Sequence, residues 1–292
     1  MILAHDALHA SLTRWTFEPI TVVLLVAASA LYVVGVRSLW ARAGRGGGIS
    51  RWQAAAYCGA IVTIALALVS PLAWLSEVLF SAHMTQHEIL MLVSAPLLVI
   101  SQPVVAYLWA FPPGRRARVA GAFRGPVLTP AWRMLSGPLA VFLVHAIALW
   151  VWHIPSLYEA ALQSEAVHAL EHLCLLLTAG LFWWGMVHGR YGRSGYGVAV
   201  LYVFLTGMHS TLLGALMTLS GQVWYPTYLT TARDWRIDAF ADQQLAGLIM
   251  WVPSGVVFIV LGLALLSAWL GESERKAGLS HTAALFDAAR NP

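Results

Sequence analysis

Charged residues are scarce in this chain, at 10% of its 292 residues against about 25% in ordinary soluble domains. Because 59% of the residues are hydrophobic, this scarcity excludes an ordinary soluble domain and indicates a protein embedded in lipid. The long apolar runs lack the alternation of lipid-facing and lumen-facing residues that membrane barrels require, which excludes a β-barrel. The sequence therefore predicts an all-α, polytopic membrane protein.

Cysteine is also rare. Cys58 and Cys174 both lie inside apolar runs, so no disulfide framework is predicted. A glycine-rich nucleotide loop and a nucleophile motif are absent from the sequence. The net charge of +4 does not indicate a nucleic-acid partner, because the positions of the basic residues follow membrane orientation instead. We therefore expect neither energy-driven transport nor an enzymatic activity.

Seven charge-free runs are long enough to cross a bilayer, which takes about 20 mostly apolar residues. They are Pro19–Val36, Trp52–Ser76, Ile89–Gly114, Met134–Trp152, Leu173–Gly189, Ser194–Ala232 and Gln243–Gly271. The sixth run is too long for one crossing, so its helix is expected to end near Ser220. The sequence thus predicts one seven-helix domain, residues 1–271, followed by a polar cytoplasmic tail, residues 272–292, with the composition of a disordered segment.

Nearly all basic residues fall on one side of the predicted membrane. Of the 17 lysines and arginines, only Arg14, Arg233 and Arg236 fall on the other side. Loops rich in basic residues stay in the cytoplasm, so the amino terminus is predicted to lie outside the cytoplasm and the carboxyl terminus inside it. Alternate loops agree with this split, which supports the count of seven helices.

Histidine is costly inside a membrane, where it usually faces the bundle interior and has a function. The chain has eleven histidines, and most of them, with one aspartate, fall on the outer side or in the outer half of a predicted helix. These residues are His5, His9, His83, His87, His153, His168, His172, His209 and Asp242. The exceptions are His145 near mid-span, and His188 and His281 on the cytoplasmic side. Candidate metal ligands therefore converge on the outer leaflet.

Two histidine pairs share the same spacing. His83 and His87 open the third predicted helix, and His168 and His172 open the fifth. Residues four apart lie on one helix face with side-chain roots about 5–6 Å apart, which one metal ion can bridge. We interpret the pairs as one shared site between these helices. The alternative is interfacial packing, or hydrogen bonds to loop carbonyls.

Methionines beside the histidines favour copper, because a soft thioether next to imidazole selects Cu(I). Met84 follows His83, and Met208 precedes His209. The predicted metal-binding residues are His83, His87, His168, His172, Met84, Met208, His209 and Asp242. The methionines and the aspartate also have a structural interpretation. A methionine in a membrane protein often only packs in the core, and Asp242 could cap the seventh helix.

Four motifs carry a family resemblance. They are His83-Met84-x-Gln86-His87, Trp152-His153-x-Pro155-x-x-Tyr158, His168-x-x-Glu171-His172 and Asp242-Gln243-x-x-x-Gly247-x-x-Met250-Trp251. In this order on seven helices, the chain resembles the multi-span CtaG family of cytochrome c oxidase assembly proteins. It does not resemble the single-span copper chaperone of the same name, whose ligands are cysteines.

The resemblance implies a multi-pass protein of the bacterial inner membrane that matures a haem-copper oxidase by handling copper for its catalytic subunit. The implied partners are that subunit and other copper chaperones. The paired histidines of the family correspond to His83, His87, His168 and His172, and its acidic residue at the start of the last helix corresponds to Asp242. Many members have two glycines where this chain has Ala246-Gly247, a departure that leaves helix packing intact.

Three other functions stay open at this point. A membrane zinc hydrolase would use the H-x-x-E-H arrangement of His168, Glu171 and His172, with Glu171 polarising a zinc-bound water. Against it stand the lack of an obvious third carboxylate ligand and the richness in methionine. A haem protein would use histidines of two helices as axial ligands, and a plain scaffold would use the histidines only for packing.

Overall fold

The computed structural model describes residues 14–188 and 195–290, and within them the side chains of all residues except 234 and 276–290. The predictions for His5, His9 and the side chain of His281 lie outside the described residues, as do Arg190 and Arg193, two of the basic residues assigned to the cytoplasmic side. Within the described ranges the chain is helical and has no strand. The helices are α1 (Pro19–Ala43), α2 (Arg51–Leu68), α3 (Pro71–Ser76), α4 (Phe80–Glu88), α5 (Ala95–Ile100), α6 (Pro103–Ala110), α7 (Pro113–Phe123), α8 (Leu128–Leu135), α9 (Pro138–Trp152), α10 (Pro155–Gln163), α11 (Glu165–Val187), α12 (Gly195–Leu219), α13 (Thr227–Asp234) and α14 (Ala239–Arg290).

Six helical segments of the described chain are long and apolar enough to cross a membrane. They are α1, α2, Phe80–Ile100, α11, α12 and Ala239–Arg275. The segment Phe80–Ile100 comprises α4, a π-helical turn over Ile89–Ser94, and α5. The pair α8 and α9 provides a seventh candidate if it is counted as one crossing bent by 72°. The chain is therefore a membrane protein with six or seven candidate spans.

Several spans begin or end away from the predicted positions. The third span begins at Phe80 instead of Ile89, and α11 begins at Glu165 instead of Leu173. The charge-free runs stopped at Glu88 and Glu171, yet both acidic side chains are buried inside the protein. A buried acid does not contact lipid, so it interrupts an apolar run of sequence without ending the helix.

The structure also differs from the sequence predictions at two breaks within predicted spans and at the carboxyl end. The second predicted run is split after Leu68, because Ser70 caps a new helix that starts at Pro71. The third predicted run is split at Gln102, which adopts a left-handed conformation (φ 52°) before Pro103 starts α6. At the carboxyl end, α14 continues as helix to Arg290, where the polar composition predicted a disordered tail.

Helices α12 and α14 approach each other closely at two glycines. A Cβ atom built on Gly247 would lie 2.6 Å from the carbonyl oxygen of Gly214 and 2.3 Å from Oγ1 of Thr218. Only hydrogen fits in that space, so these glycines allow the two backbones to come into contact, as small residues do in membrane helix pairs. This contact positions the start of α14 beside α4.

The largest core cluster surrounds the start of α4. Its buried members include Phe80, Met84, Tyr158, Leu213 and Met250. The π-helical turn follows directly after α4, and such turns often accompany functional sites in membrane and soluble proteins. His83, His87 and His172 are therefore buried inside a packed core, and His168 is half-buried beside them.

Candidate metal centre

The two histidine pairs lie together in the interior of the bundle. Nε2 of His83 is 3.0 Å from Nε2 of His87. The ring centroid of His83 lies 5.1 Å from that of His168 and 5.5 Å from that of His172. The structure thus brings the four paired imidazoles of α4 and α11 into one group.

Two further side chains belong to the same group. Glu171 of α11 places Oε1 3.5 Å from Nε2 of His87 and Oε2 3.7 Å from Nε2 of His83. His153, directly after α9, has its ring centroid 5.8 Å from that of His87. We call His83, His87, His153, His168, His172 and Glu171 the histidine cluster. Sequence reasoning did not select His153 as a ligand, although its place at the outer end of the fourth predicted helix could have indicated it.

Most donor atoms of the cluster are buried and have no hydrogen-bond partner in the described part of the chain. These atoms are Nδ1 of His83 and His87, Nε2 of His153, His168 and His172, and both carboxylate oxygens of Glu171. A buried polar atom without a partner costs about 1–3 kcal/mol, so several in one place call for a ligand. The donor set fits a metal ion, which imidazole nitrogens and a carboxylate can bind directly.

Two overlapping sets of three side chains have the spacing of metal ligands. One set is His83, His168 and His172, and the other is His83, His87 and Glu171. Within each set, the ligand atoms all lie within 4.8 Å of one another. Metal–imidazole bonds are about 2.0–2.1 Å long, so small side-chain shifts would close either set around one ion.

His153 is oriented for binding by its neighbours. Its Nδ1 lies 2.6 Å from the carbonyl oxygen of Leu149, so Nδ1 carries the hydrogen and donates it. Nε2 then holds the lone pair that can bind a metal, which is the usual arrangement of a metal-binding histidine. In addition, the hydroxyl of Tyr225 donates to the carbonyl oxygen of His153 at 2.9 Å.

Asp242 does not contribute its carboxylate to the cluster. Its oxygens accept hydrogen bonds from the amide of Phe80 at 2.7 Å, and from the amide and hydroxyl of Ser81. Asp242 therefore caps α4, the helix that carries His83 and His87, from the neighbouring α14. Nor does it cap α14, because Asp238 accepts the hydrogen bonds from the first amides of that helix.

Two side-chain bonds fix the rotation of α4 and the π-helical turn about their axis. Gln86 donates from Nε2 to the carbonyl oxygen of Ala67 at 2.7 Å. Trp183 of α11 donates from Nε1 to the carbonyl oxygen of Met91 at 2.8 Å. Because Gln86 is bound to α2, the face of α4 that carries His83 and His87 turns toward α11.

Tyrosines of the connecting segments close the end of the bundle above the cluster. The hydroxyls of Tyr158 and Tyr228 are 3.0 Å apart, and Tyr228 also donates to the carbonyl oxygen of Ser76 at 3.1 Å. Burial raises the pKa of Tyr225 and Tyr228 well above the usual range, so both hydroxyls stay protonated and donate. The buried side chains of Tyr158, Tyr225 and Tyr228 thus form a layer over the histidine cluster.

The other predicted ligands lie in different places. Met84 is completely buried in the core beside the cluster, whereas Met208 is 52% exposed on the outside of the bundle. His209 is paired with His145, at a ring-centroid distance of 6.0 Å, and not with the histidine cluster. The structure therefore groups the four paired histidines and leaves Met208, His209 and the carboxylate of Asp242 outside that group.

Known proteins are similar in sequence to this chain over most of its length. Residues 30–272 match the family model described as cytochrome c oxidase caa3 assembly factor, Caa3_CtaG. Uncharacterized proteins of Mycobacterium bovis and Mycobacterium tuberculosis are each 26% identical over 209 residues, and one of Mycobacterium leprae is 25% identical. These matches cover 68% of this chain but only 31% of each relative, so the chain spans about a third of their length.

No solved structure matches the chain. The family match includes every member of the histidine cluster, from His83 to His172, and continues to the last candidate span. It also agrees with the resemblance that the four sequence motifs indicate. The chain belongs to the Caa3_CtaG family of cytochrome c oxidase assembly factors.

Proposed function

We propose that this protein binds Cu(I) at the histidine cluster and delivers it to the catalytic subunit of a haem-copper oxidase during assembly. The observation that carries the proposal is the convergence of five imidazoles and Glu171 in one group, with most of their donor atoms buried and without hydrogen-bond partners. A haem-copper oxidase contains copper, and the histidine cluster gives an assembly factor of this family ligands that suit that metal.

The ligand types favour copper over harder cations. Imidazole suits copper and zinc, whereas Mg²⁺ and Ca²⁺ prefer sets of oxygen ligands. Met84 is buried next to His83 on the same helix, and its thioether is a soft donor that favours Cu(I). The single carboxylate, Glu171, supplies a negative charge that balances the charge of a Cu(I) ion.

The distribution of basic residues supports an outer location for the cluster in the bacterial inner membrane. Loops predicted to lie on the opposite side of the bundle carry nearly all arginines, and this distribution favours a periplasmic location for the histidine end. Copper would then enter from the periplasmic side. The closed tyrosine layer above the cluster would hold the ion away from water until a partner opens this end.

Metal analysis of the detergent-purified protein tests the proposal. Wild-type protein is expected to contain copper, and the variant with His83, His87, His168 and His172 all changed to Ala is expected to lose the copper of the histidine cluster. His188→Ala, at an exposed histidine outside the histidine cluster, is the matched control. Size-exclusion chromatography and circular dichroism establish that the variant is folded, and unchanged copper content in the folded variant contradicts the proposal.

A zinc-dependent hydrolase is the second candidate, because Glu171 lies within 3.5–3.7 Å of two histidine nitrogens. In that arrangement a zinc ion would lower the pKa of a bound water, and Glu171 would accept its proton. Zinc at one equivalent, together with chelator-sensitive hydrolysis of a lipid or peptide, favours this candidate. An absorption spectrum of the same sample tests for bound haem, which would show a Soret band.

A further inference from the structure

A second histidine pair lies deeper in the bundle than the histidine cluster. His145 of α9 and His209 of α12 have ring centroids 6.0 Å apart, and both side chains are buried, with 6% and 9% exposure. His145 lies in α9, eight residues before His153, which directly follows the end of that helix; this separation corresponds to a rise of about 12 Å. The pair is therefore separated from the cluster along the bundle axis and shares no residue with it.

The hydrogen bonds around His145 leave one ring nitrogen for a ligand. Its Nδ1 is 3.1 Å from Oγ1 of Thr178, and that hydroxyl donates its own hydrogen to the carbonyl oxygen of Leu175. Thr178 must therefore accept from His145, so Nδ1 carries the hydrogen of the ring. Nε2 then has the lone pair, as it does in a metal-binding histidine with an oriented ring.

His209 has two ring nitrogens without a hydrogen-bond partner, whereas His145 has one available for a ligand. Both of its ring nitrogens are buried and lack a hydrogen-bond partner in the described part of the chain. Its neighbours include the ring of Phe142, at a centroid distance of 5.5 Å, which offers no acceptor. An imidazole that served only to fill space here would leave these atoms unsatisfied, at about 1–3 kcal/mol for each.

The separation of the two rings fits one ion between them. An imidazole nitrogen lies about 1.1 Å from its ring centroid, and a metal–imidazole bond is about 2.0 Å long. Two imidazoles on opposite sides of one ion thus have centroids about 6 Å apart, as His145 and His209 do. Within the described residues, no other histidine, cysteine or carboxylate completes a ligand group with this pair.

We propose that His145 and His209 form a second Cu(I) site, in which the two imidazoles bind one ion in a linear arrangement. Zinc requires four ligands in a structural site and three protein ligands in a catalytic one, so a site of two imidazoles favours Cu(I). The identity of the ion rests on the proposed function. The existence of the second site rests on the geometry of the pair. Copper bound here would lie about 12 Å along the bundle axis from the level of His153 in the cluster.

The number of copper equivalents bound per protein after anaerobic loading with Cu(I) tests this site separately from the cluster. The His145→Phe, His209→Leu double variant is expected to bind one equivalent less than wild type and to keep the copper of the cluster. A His145→Met, His209→Met double variant replaces the imidazoles with soft thioethers and is expected to recover the lost equivalent. Equal copper content in wild type and the Phe/Leu variant overturns the second site.

X-ray absorption on the variant with four alanines at His83, His87, His168 and His172 provides a second measurement. The expected spectrum is that of Cu(I) with two nitrogen ligands, and it is expected to vanish when His145→Phe and His209→Leu are added. If the four-alanine variant keeps all its copper, the proposed function fails. If that variant binds no copper while wild type binds it, the second site fails, so the two failures are distinguishable.

Discussion

Asp242 caps the helix that begins at Phe80: the carboxylate of Asp242 accepts the Phe80 amide hydrogen at 2.7 Å, across 162 residues of sequence. The acidic residue that opens the last candidate span therefore holds the start of the third. Three residues after Phe80, His83 begins the histidine cluster. The cap fixes the position from which both histidines of α4 enter the site.

We expect Asp242→Asn to lower the free energy of unfolding by about 1–3 kcal/mol, since a charged acceptor at a buried helix start is lost. The Asn amide group would also place its own hydrogens against backbone donors. Thermal unfolding in detergent measures the change, and copper content is expected to fall with it. Asp238→Asn, at the exposed cap of α14, is the control. Equal stability of the two variants would contradict this role.

His153→Ala is expected to weaken copper binding by about tenfold or more. Loss of a supporting group around a metal site typically costs about 10–100-fold in affinity, and loss of a ligand should cost at least as much. Competition with a Cu(I) chelator measures the affinity. The same change at His188, whose Nδ1 also lies near the carbonyl oxygen four residues earlier, is the matched control. An affinity for copper that equals that of His188→Ala would remove His153 from the site.

Glu171→Gln separates copper handling from hydrolysis. The change keeps the side-chain volume and removes the negative charge beside His83 and His87. For a copper carrier we expect bound Cu(I) to remain, with affinity reduced by about tenfold, because charge attraction is strong in a site that excludes water. For a zinc hydrolase, zinc would remain and hydrolysis would stop.

The control for that change is Glu159→Gln, since the Glu159 carboxylate accepts hydrogen bonds from Thr227 outside the cluster. Chelator competition on both variants gives the comparison. An identical copper affinity for the two variants would show that the charge of Glu171 plays no part in binding.

Gly247→Ala is expected to destabilise the bundle by about 1–3 kcal/mol, which is typical of overpacking. The new methyl group would collide with Thr218 and with the carbonyl oxygen of Gly214. Gly180→Ala in α11 is the control, because no heavy atom lies within 4 Å of the Cβ it would add. Alanine favours helix by about 1 kcal/mol over glycine, so the control should be neutral or more stable. A Gly247→Ala variant as stable as the control would contradict the close contact.

Part of the site could be predicted from the sequence because helical geometry alone decides it. The spacing of four residues puts His83 with His87, and His168 with His172, on one helix face in any packing of the bundle. The same reasoning cannot place single residues of other helices. His153 lies in the histidine cluster and His209 lies outside it. The packing of α9, α11 and α12 around α4 decides which of these single histidines is close to the paired ones.

The sequence by itself determined that this protein is helical and lies in a membrane, since apolar length and scarce charge decide between lipid and water wherever the chain is packed. It also determined which histidines share a helix face. Tertiary structure alone decided that Glu88 and Glu171 are buried within spans, that Asp242 caps a distant helix, and that His145 faces His209. Each of these depends on contacts between segments far apart in the chain, where side chains satisfy or leave open each other's hydrogen bonds.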